Sequence, residues 1–166
     1  MTPNPAQDPP AVLRTSARLL LIDETDRLLL FSSTDDSDGH TFWCPIGGGR
    51  EAGETLEQTA AREAREETGL TELPLGPEVW RRRAFGTWGG TTYDCREHFF
   101  LVRVDKFDID TTGFTEDERI SITGHRWWTL DELNATSDRL VPADLGSLLA
   151  DLLISGPPDE PITLTM

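Results

Sequence analysis

Short apolar runs of strand length, separated by polar or glycine-containing turns, recur along most of the chain, and such runs are typical of β-strands. A polar turn at residues 24–26 separates the first two runs, and Gly89 and Gly90 separate two later ones, as in a β-hairpin. Polar stretches at residues 32–39 and 107–121 predict loops. The predicted strands comprise residues 17–23, 27–31, 41–45, 79–87, 93–104 and 125–129.

Apolar residues at helical spacing predict two helices. The first begins at Thr55, which can cap a helix N-terminus, and ends at Gly69, since glycine favours helix ends. A helical turn is predicted at residues 130–133. The second helix is amphipathic and depends on five leucines, Leu145, Leu148, Leu149, Leu152 and Leu153. This order of elements predicts an α/β fold in which helices cover the faces of a mixed sheet.

The length of 166 residues fits one domain with a sufficient core. Four prolines near the start favour a disordered arm, which we place at residues 1–12; the domain then covers residues 13–156, and a tail covers residues 157–166. No apolar run is long enough to span a bilayer, and the first residues lack the features of a signal peptide. We therefore expect a cytoplasmic protein without a membrane partner.

The chain contains 15 basic and 30 acidic residues, a formal net charge of −15. Such an acidic surface repels nucleic-acid backbones, so nucleic acid is not an expected partner. If the substrate is a phosphate anion, a bound cation must mediate its binding to so acidic a protein. The alternative is that the negative charge serves only to keep the protein soluble. Cys44 and Cys95 lack the spacing of a zinc site or a disulfide framework, and the three histidines are scattered, so we assign chemistry to none of them.

A dense acidic motif follows three consecutive glycines. From Gly48 to Leu70 the chain matches the pattern G-x5-E-x7-R-E-U-x-E-E-x-G-U, where U is aliphatic and Ala64 fills the first U position. This pattern is the Nudix box, so the chain resembles the Nudix hydrolase family over these 23 residues, and more loosely at Trp43 and residues 125–133. The matched positions are Gly48, Glu54, Arg62, Glu63, Glu66, Glu67 and Gly69.

Three carboxylates of the motif share one side of the predicted helix. At about 100° per residue, Glu63, Glu66 and Glu67 fall within one arc of about 100°. Leu56 and Ala60 lie on the same arc, which places the carboxylates on the apolar, inward side. Like charges at this spacing destabilise a helix, and hard oxygen ligands suit Mg²⁺ or Mn²⁺. The alternative is a solvated, glutamate-rich helix face.

The resemblance implies an α/β/α sandwich around a mixed sheet and metal-dependent hydrolysis of a diphosphate linkage in a small nucleotide-like substrate. It implies that Glu66 and Glu67 are metal ligands, and that Glu63 is a third ligand or the general base. Metal ions would neutralise phosphate oxygens and lower the pKa of the water that attacks phosphorus. A late loop often supplies another ligand, and we favour Glu118 over Glu116. A homodimer is common among similar proteins and is a possible state here.

Several residues are candidate substrate contacts. The predicted glycine loop, with Gly48 and Gly49, can direct backbone amides at phosphate. Arg82 can grip a terminal phosphate, since arginine matches phosphate geometry, or it can pair with nearby acids. Three aromatic residues can stack on a base or else belong to the core: Trp88, Tyr93 and Phe100.

The chain departs from the usual family sequence at one position beside the Nudix box, and two charged residues within the box are interpreted as structural. Ile46 stands where Nudix proteins usually have proline before the paired glycines, and Pro45 comes one residue early. We interpret Glu54 and Arg62 as structural residues whose charges tie the glycine loop to the helix.

Two alternative functions stay open from the sequence. A prenyl-diphosphate isomerase shares the fold and the metal-binding carboxylates, and it needs a cysteine and a glutamate facing its pocket. A non-catalytic nucleotide-binding module also shares the fold, but such modules tend to lose box carboxylates, and none is lost here.

Overall fold

A computed structural model describes residues 10–165 of the chain. Its nine strands are β1 (Val12–Ile22), β2 (Leu28–Thr34), β3 (Thr41–Cys44), β4 (Ile46–Gly49), β5 (Leu75–Trp88), β6 (Thr91–Arg103), β7 (Ile122–Trp128), β8 (Arg139–Leu140) and β9 (Ile162–Thr163). Its four helices are α1 (Leu56–Thr68), α2 (Glu116–Ser121), α3 (Leu130–Ala135) and α4 (Leu145–Ser155). Within residues 10–165, none of the helices has the length and apolar character needed to cross a membrane.

The strands form one mixed sheet around β1. The order across the sheet is β8-β3-β2-β1-β6-β5-β9, while β4 also pairs with β1 and β7 with β2. The β1–β6, β3–β8 and β5–β9 pairs are parallel. The other pairs are antiparallel, including the predicted β5–β6 hairpin. The prediction of a mixed sheet is therefore confirmed.

Both faces of β1 are buried, each beneath different helices. Leu19 and Leu21 belong to one apolar cluster with Ala60 of α1, whereas Leu20 and Ile22 belong to a second cluster with residues of α3 and α4. Because side chains alternate along a strand, α1 covers one face of the sheet and α3 with α4 covers the other. This arrangement confirms the predicted α/β/α sandwich.

Helix α1 has the two ends that the sequence predicts. The Thr55 hydroxyl accepts a hydrogen bond from the Gln58 backbone N–H at 3.1 Å, and the Gln58 side chain accepts one from the Thr55 N–H at 2.9 Å. Gly69 ends the helix with φ 78°, a left-handed conformation that favours glycine. The two caps fix the residues at which α1 begins and ends.

The consecutive glycines differ from the predicted irregular loop. Residues 47–49 belong to β4 and pair with residues 16–18 of β1. The two backbones are so close that a side chain at Gly47, with φ 140°, would meet the carbonyl oxygen of Ala17. Ile46, at the family's usual proline position, is buried in the cluster beneath α1. A close strand pair therefore replaces the expected loop.

Two other boundaries differ from the predictions. The predicted loop at residues 107–121 ends in α2, which Thr115 and Glu118 cap reciprocally, so a local capping signal was missed. Strand β1 begins at Val12, inside the predicted arm. The sequence did not reveal this start, because Val12 and Leu13 are both exposed and depart from the in–out pattern that marks a strand. Residues 1–9 of that arm lie outside the described residues.

The predicted tail joins the sheet. Strand β9 pairs in parallel with β5, and the Leu164 N–H donates a hydrogen bond to the Arg81 carbonyl at 2.7 Å. The Leu164 side chain is 8% exposed and belongs to the cluster beneath α3 and α4. A two-residue strand is too short to give a periodic signal, so the sequence did not reveal it.

Leu164→Ala should lower the free energy of unfolding by about 2 kcal/mol or more, because it removes a buried side chain from the core. Ile162→Ala is the matched control, since Ile162 lies in the same segment and is half exposed. This control should change stability by less than about 0.5 kcal/mol. Urea unfolding measures both changes, and equal effects would contradict the docking of the tail.

Candidate active site

Three carboxylates meet beside β4. Glu63 and Glu67 lie on consecutive turns of α1 and are buried, and Glu118 lies on α2. One oxygen atom from each carboxylate lies within 4.8 Å of the others. The structure therefore brings together three of the four predicted metal ligands, from two separate helices.

The hydrogen bonds of this group leave one oxygen without a partner. Glu63 Oε1 accepts from Arg62 Nη1 at 2.8 Å, and Glu67 Oε2 accepts from the Gly47 N–H at 2.8 Å. Glu63 Oε2 is buried and has no hydrogen-bond partner among the described residues. A buried carboxylate oxygen without a partner is costly, and a divalent cation would satisfy it. Three hard oxygen donors in this arrangement fit Mg²⁺ or Mn²⁺.

Burial, and to a smaller extent like charge, raises the pKa values of the two α1 carboxylates in the group. Burial, followed by the repulsion of Glu63, raises the pKa of Glu67 well above its ordinary value. Burial also raises the pKa of Glu63, with repulsion from Glu66 and Glu118, although Arg62 opposes the shift. A bound cation would reverse the repulsion and favour the ionised carboxylates.

Glu66 is not a member of the group whose oxygens lie within 4.8 Å of one another, although it borders that group. It contacts Arg62 Nη1 at 3.4 Å and lines a cavity of about 500 Å³ together with Glu63 and Glu118. Burial raises the pKa of Glu66 as well. The predicted trio on α1 therefore differs in burial: Glu63 and Glu67 are buried, whereas Glu66 is half-buried beside the cavity that Glu63 also lines.

Arg62 of α1 contacts several of the carboxylates and the glycine strand. Its Nε contacts Glu54 Oε1 at 2.6 Å, and its Nη2 donates to the Gly49 carbonyl oxygen at 2.9 Å. The hydrogen bond from Arg62 lowers the pKa of Glu54 to about 2, so this pair stays charged over a wide pH range. These contacts confirm the interpretation of Glu54 and Arg62 as residues that tie the glycine segment to the helix.

Gly48 leaves the space that the Glu63 carboxylate occupies. A side chain at position 48 would meet Glu63 Oε1. The sequence pointed to a backbone contact with phosphate, whereas the structure gives Gly48 a steric role: it lets a strand lie directly against an acidic side chain.

Gly48→Ala should displace the Glu63 carboxylate and lower turnover by about a hundredfold, since displacements of about 1 Å at a reaction site have effects of this size. Mg²⁺ affinity, measured by titration calorimetry, should fall with it. The control is Gly124→Ala in β7, where an added methyl group meets only the Ser32 hydroxyl at 3.2 Å. Wild-type metal affinity in Gly48→Ala would contradict this role.

Arg82 is engaged by a buried acid. Its Nη1 contacts Glu97 Oε2 at 2.6 Å, and Arg18 Nε contacts Glu97 Oε1 at 3.1 Å. Although burial opposes the shift, Arg18 and Arg82 lower the pKa of Glu97. Arg18 also donates to the Gly47 carbonyl at 3.3 Å, so the ion pairs of Glu97 are connected to the backbone of β4. The sequence left two roles open for Arg82, a phosphate contact or an ion pair, and the structure shows the ion pair.

A second and larger cleft, of about 690 Å³, adjoins the carboxylates. Trp88 lines it and stacks on Tyr93 with ring centres 4.0 Å apart, whereas Phe100 is buried in the core. Arg14 lines both this cleft and the carboxylate cavity. Sequence reasoning missed Arg14, because it lies in the part of β1 that the strand pattern did not reach.

The cysteine thiols are poor candidates for chemistry. Cys44 lines a small cavity with Glu67 and Glu118, but burial raises the pKa of its thiol to about 11. Burial also raises the pKa of Cys95. Both thiols are therefore neutral near pH 7 and weakly nucleophilic.

In a comparison with protein families, residues 12–150 match the NUDIX domain. Comparison with curated proteins finds no match. Among solved structures, the E. coli ORF135 protein superimposes with a TM-score of 0.61 at 22% identity, covering 90% of this chain and 96% of that one. The E. coli dihydroneopterin triphosphate pyrophosphohydrolase gives 0.59 at 20% identity, covering 87% and 99%. A C. elegans Ap4A hydrolase gives 0.59 at 20% identity, covering 86% and 96%.

The family match spans most of the chain, and it includes the whole acidic motif and its supporting strands. The chain therefore belongs to the Nudix family and is a pyrophosphohydrolase of the class that acts on phosphoric anhydride bonds.

Proposed function

We propose that this protein is a metal-dependent hydrolase that cleaves the diphosphate linkage of a nucleoside diphosphate derivative. The observation that carries the proposal is the buried, unpartnered Glu63 Oε2 within a group that also contains oxygens of Glu67 and Glu118. In this proposal, the three residues hold Mg²⁺ or Mn²⁺. A divalent ion at this place would neutralise phosphate charge and acidify a nearby water.

Other residues position the carboxylates and accept a proton. Arg62 holds Glu63 in position, and the Gly47 N–H orients Glu67. Glu66 lines the cavity beside them and accepts the proton of the attacking water. The sequence resemblance implied that Glu66 is a metal ligand and that Glu63 is a ligand or the base. Because Glu66 is outside the group of three oxygens, we propose instead that Glu66 is the general base and that Glu63, Glu67 and Glu118 are the ligands.

The adjoining cleft favours a nucleoside as the attached group. Its volume of about 690 Å³ lies within the usual range of small-molecule sites, and its lining includes Phe42, Phe85 and Trp88. Exposed aromatic rings offer a planar surface for a base. The names of several structural neighbours also point to substrates with a ring system, and these are the Ap4A hydrolase, the dihydroneopterin triphosphate pyrophosphohydrolase and a Streptococcus suis ADP-ribose pyrophosphatase.

A panel of diphosphate-linked compounds tests the proposal. It comprises ADP-ribose, Ap4A, nucleoside triphosphates, dihydroneopterin triphosphate and isopentenyl diphosphate, each with Mg²⁺, Mn²⁺ or EDTA. We expect a nucleotide to yield phosphorylated products with either metal and none with EDTA, with ¹⁸O from labelled water appearing in a phosphate group. Conversion of isopentenyl diphosphate alone would indicate the isomerase, and stoichiometric binding without turnover would indicate the binding module.

A further inference from the structure

Arg14 has no acidic partner, although it lies beside an acidic site. It is half buried, and it takes part in no hydrogen bond or ion pair of its side chain among the described residues. The other arginines without an ion pair in residues 10–165, namely Arg50, Arg65 and Arg119, are exposed to solvent. The arginines that pair with acids are Arg18, Arg27, Arg62, Arg81, Arg82, Arg83, Arg96, Arg103, Arg126 and Arg139.

The position of Arg14 joins the two spaces of the site. Its side chain lines the carboxylate cavity with Glu63 and Glu66, and it also lines the aromatic cleft, where its guanidinium carbon lies 5.3 Å from the centre of the Trp88 ring. The strand beside it leaves room for this placement, since a side chain at Gly49 would meet Arg14 Nε at 3.0 Å. Gly48 thus makes space for the Glu63 carboxylate, and Gly49 makes space for the Arg14 guanidinium.

The Trp88 ring compensates the half-buried Arg14 charge only in part, and the N–H donors of Arg14 lack acceptors among the described residues, so an anion would stabilise it further. The guanidinium stays charged at any ordinary pH and presents paired N–H donors that match a phosphate. The surrounding acids repel a free anion, so the anion that fits is one carried into the cavity together with a cation.

We propose that Arg14 binds a phosphate of the substrate at the boundary between the carboxylate cavity and the aromatic cleft, and that the cleft beyond Arg14 takes a planar base. This inference rests on the proposed function and adds a specificity-determining residue to it. It also assigns to Arg14 the phosphate contact that the sequence favoured for Arg82, whose guanidinium is bound to Glu97.

Calorimetric binding of two non-hydrolysable probes with Mg²⁺ tests the proposal. Methylenediphosphonate has the linked phosphorus groups alone, and α,β-methylene-ADP adds a nucleoside. Arg14→Gln should weaken both probes by about tenfold to hundredfold, the effect of losing a charge-assisted contact. Trp88→Ala should weaken α,β-methylene-ADP by about tenfold more than methylenediphosphonate, whose affinity can change only through the contact of Trp88 with Arg14.

Two controls separate a phosphate contact from a general effect. Arg65→Gln makes the same charge change on the exposed face of α1 and should bind both probes as the natural chain does. Mn²⁺ affinity in Arg14→Gln should be unchanged or higher, because a positive charge near Glu63 is lost, whereas a collapsed site would lose Mn²⁺ as well.

The outcomes distinguish this inference from the proposed function. Probe binding by Arg14→Gln that equals wild type, or an equal loss in Arg65→Gln, overturns the role of Arg14 alone. Equal weakening of both probes by Trp88→Ala overturns the assignment of the cleft. If the natural chain binds neither probe in the presence of Mg²⁺, the proposed function is wrong, and this inference is wrong with it.

Discussion

Glutamine in place of Glu67 should reduce turnover by more than about a hundredfold while the fold stays intact. Loss of a residue that only supports a metal ligand typically costs about 10- to 100-fold, so loss of a ligand should cost more. Glutamine keeps the size of the side chain, and its carbonyl can still accept the Gly47 N–H. Steady-state rates at saturating Mg²⁺ measure the effect. Glu57→Gln, on the exposed start of α1, is the matched control and should retain wild-type turnover.

The same variant should be more stable than the natural chain when metal is removed. The pKa of Glu67 is raised in the folded protein, so its ionisation costs stability as pH rises from the ordinary value of 4.5 through the folded value. Glu67→Gln removes this cost. Urea unfolding in EDTA should therefore show a gain at pH 8 that shrinks toward zero as pH falls below about 4.5. Wild-type activity together with unchanged stability would contradict the assignment of Glu67.

Turnover at low Mg²⁺ should rise steeply from mildly acidic to alkaline pH, and excess Mg²⁺ should restore part of the lost activity on the acidic side. Burial raises the pKa of Glu67 and of Glu63, so protons compete with the cation at pH values where ordinary glutamates are already ionised. Ionisation of the attacking water favours the same direction. Rates across pH 5–9, at two Mg²⁺ concentrations tenfold or more apart, measure the competition.

The rescue by metal is the diagnostic part of this experiment. Added Mg²⁺ offsets ligand protonation, but it does not repair a structural collapse in acid. Circular dichroism at each pH verifies that the chain remains folded. An acidic optimum, or a profile that ignores Mg²⁺ below neutrality, would show that protons and metal do not compete for these carboxylates.

The sequence was sufficient where a local signal fixes a local structure. Helix α1 could be predicted because Thr55 and Gly69 mark its ends and its apolar positions recur at helical spacing. The sheet followed from apolar runs of strand length between turns. Leu19 and Leu20 are both buried, one in each apolar cluster, as a continuous apolar run requires in a strand that is covered on both faces.

The arrangement of the site depends on tertiary contacts that the helical arc does not contain. An arc of about 100° includes Glu63, Glu66 and Glu67 alike, but the position of β4 decides which of them are buried and which accepts a backbone hydrogen bond from the strand. Glu118 could be ranked from its sequence position, yet its distance from the others depends on where α2 docks. Arg14 gave no signal at all, since nothing in a single strand shows which cavity the strand borders.

Binding of Mn²⁺, located by its anomalous diffraction in crystals, tests the central claim most directly. We expect a peak between the carboxylates of Glu63, Glu67 and Glu118 in the natural chain, and loss of that peak in Glu67→Gln. A peak elsewhere, or one that persists unchanged in Glu67→Gln, would contradict the claim that this group is the metal site.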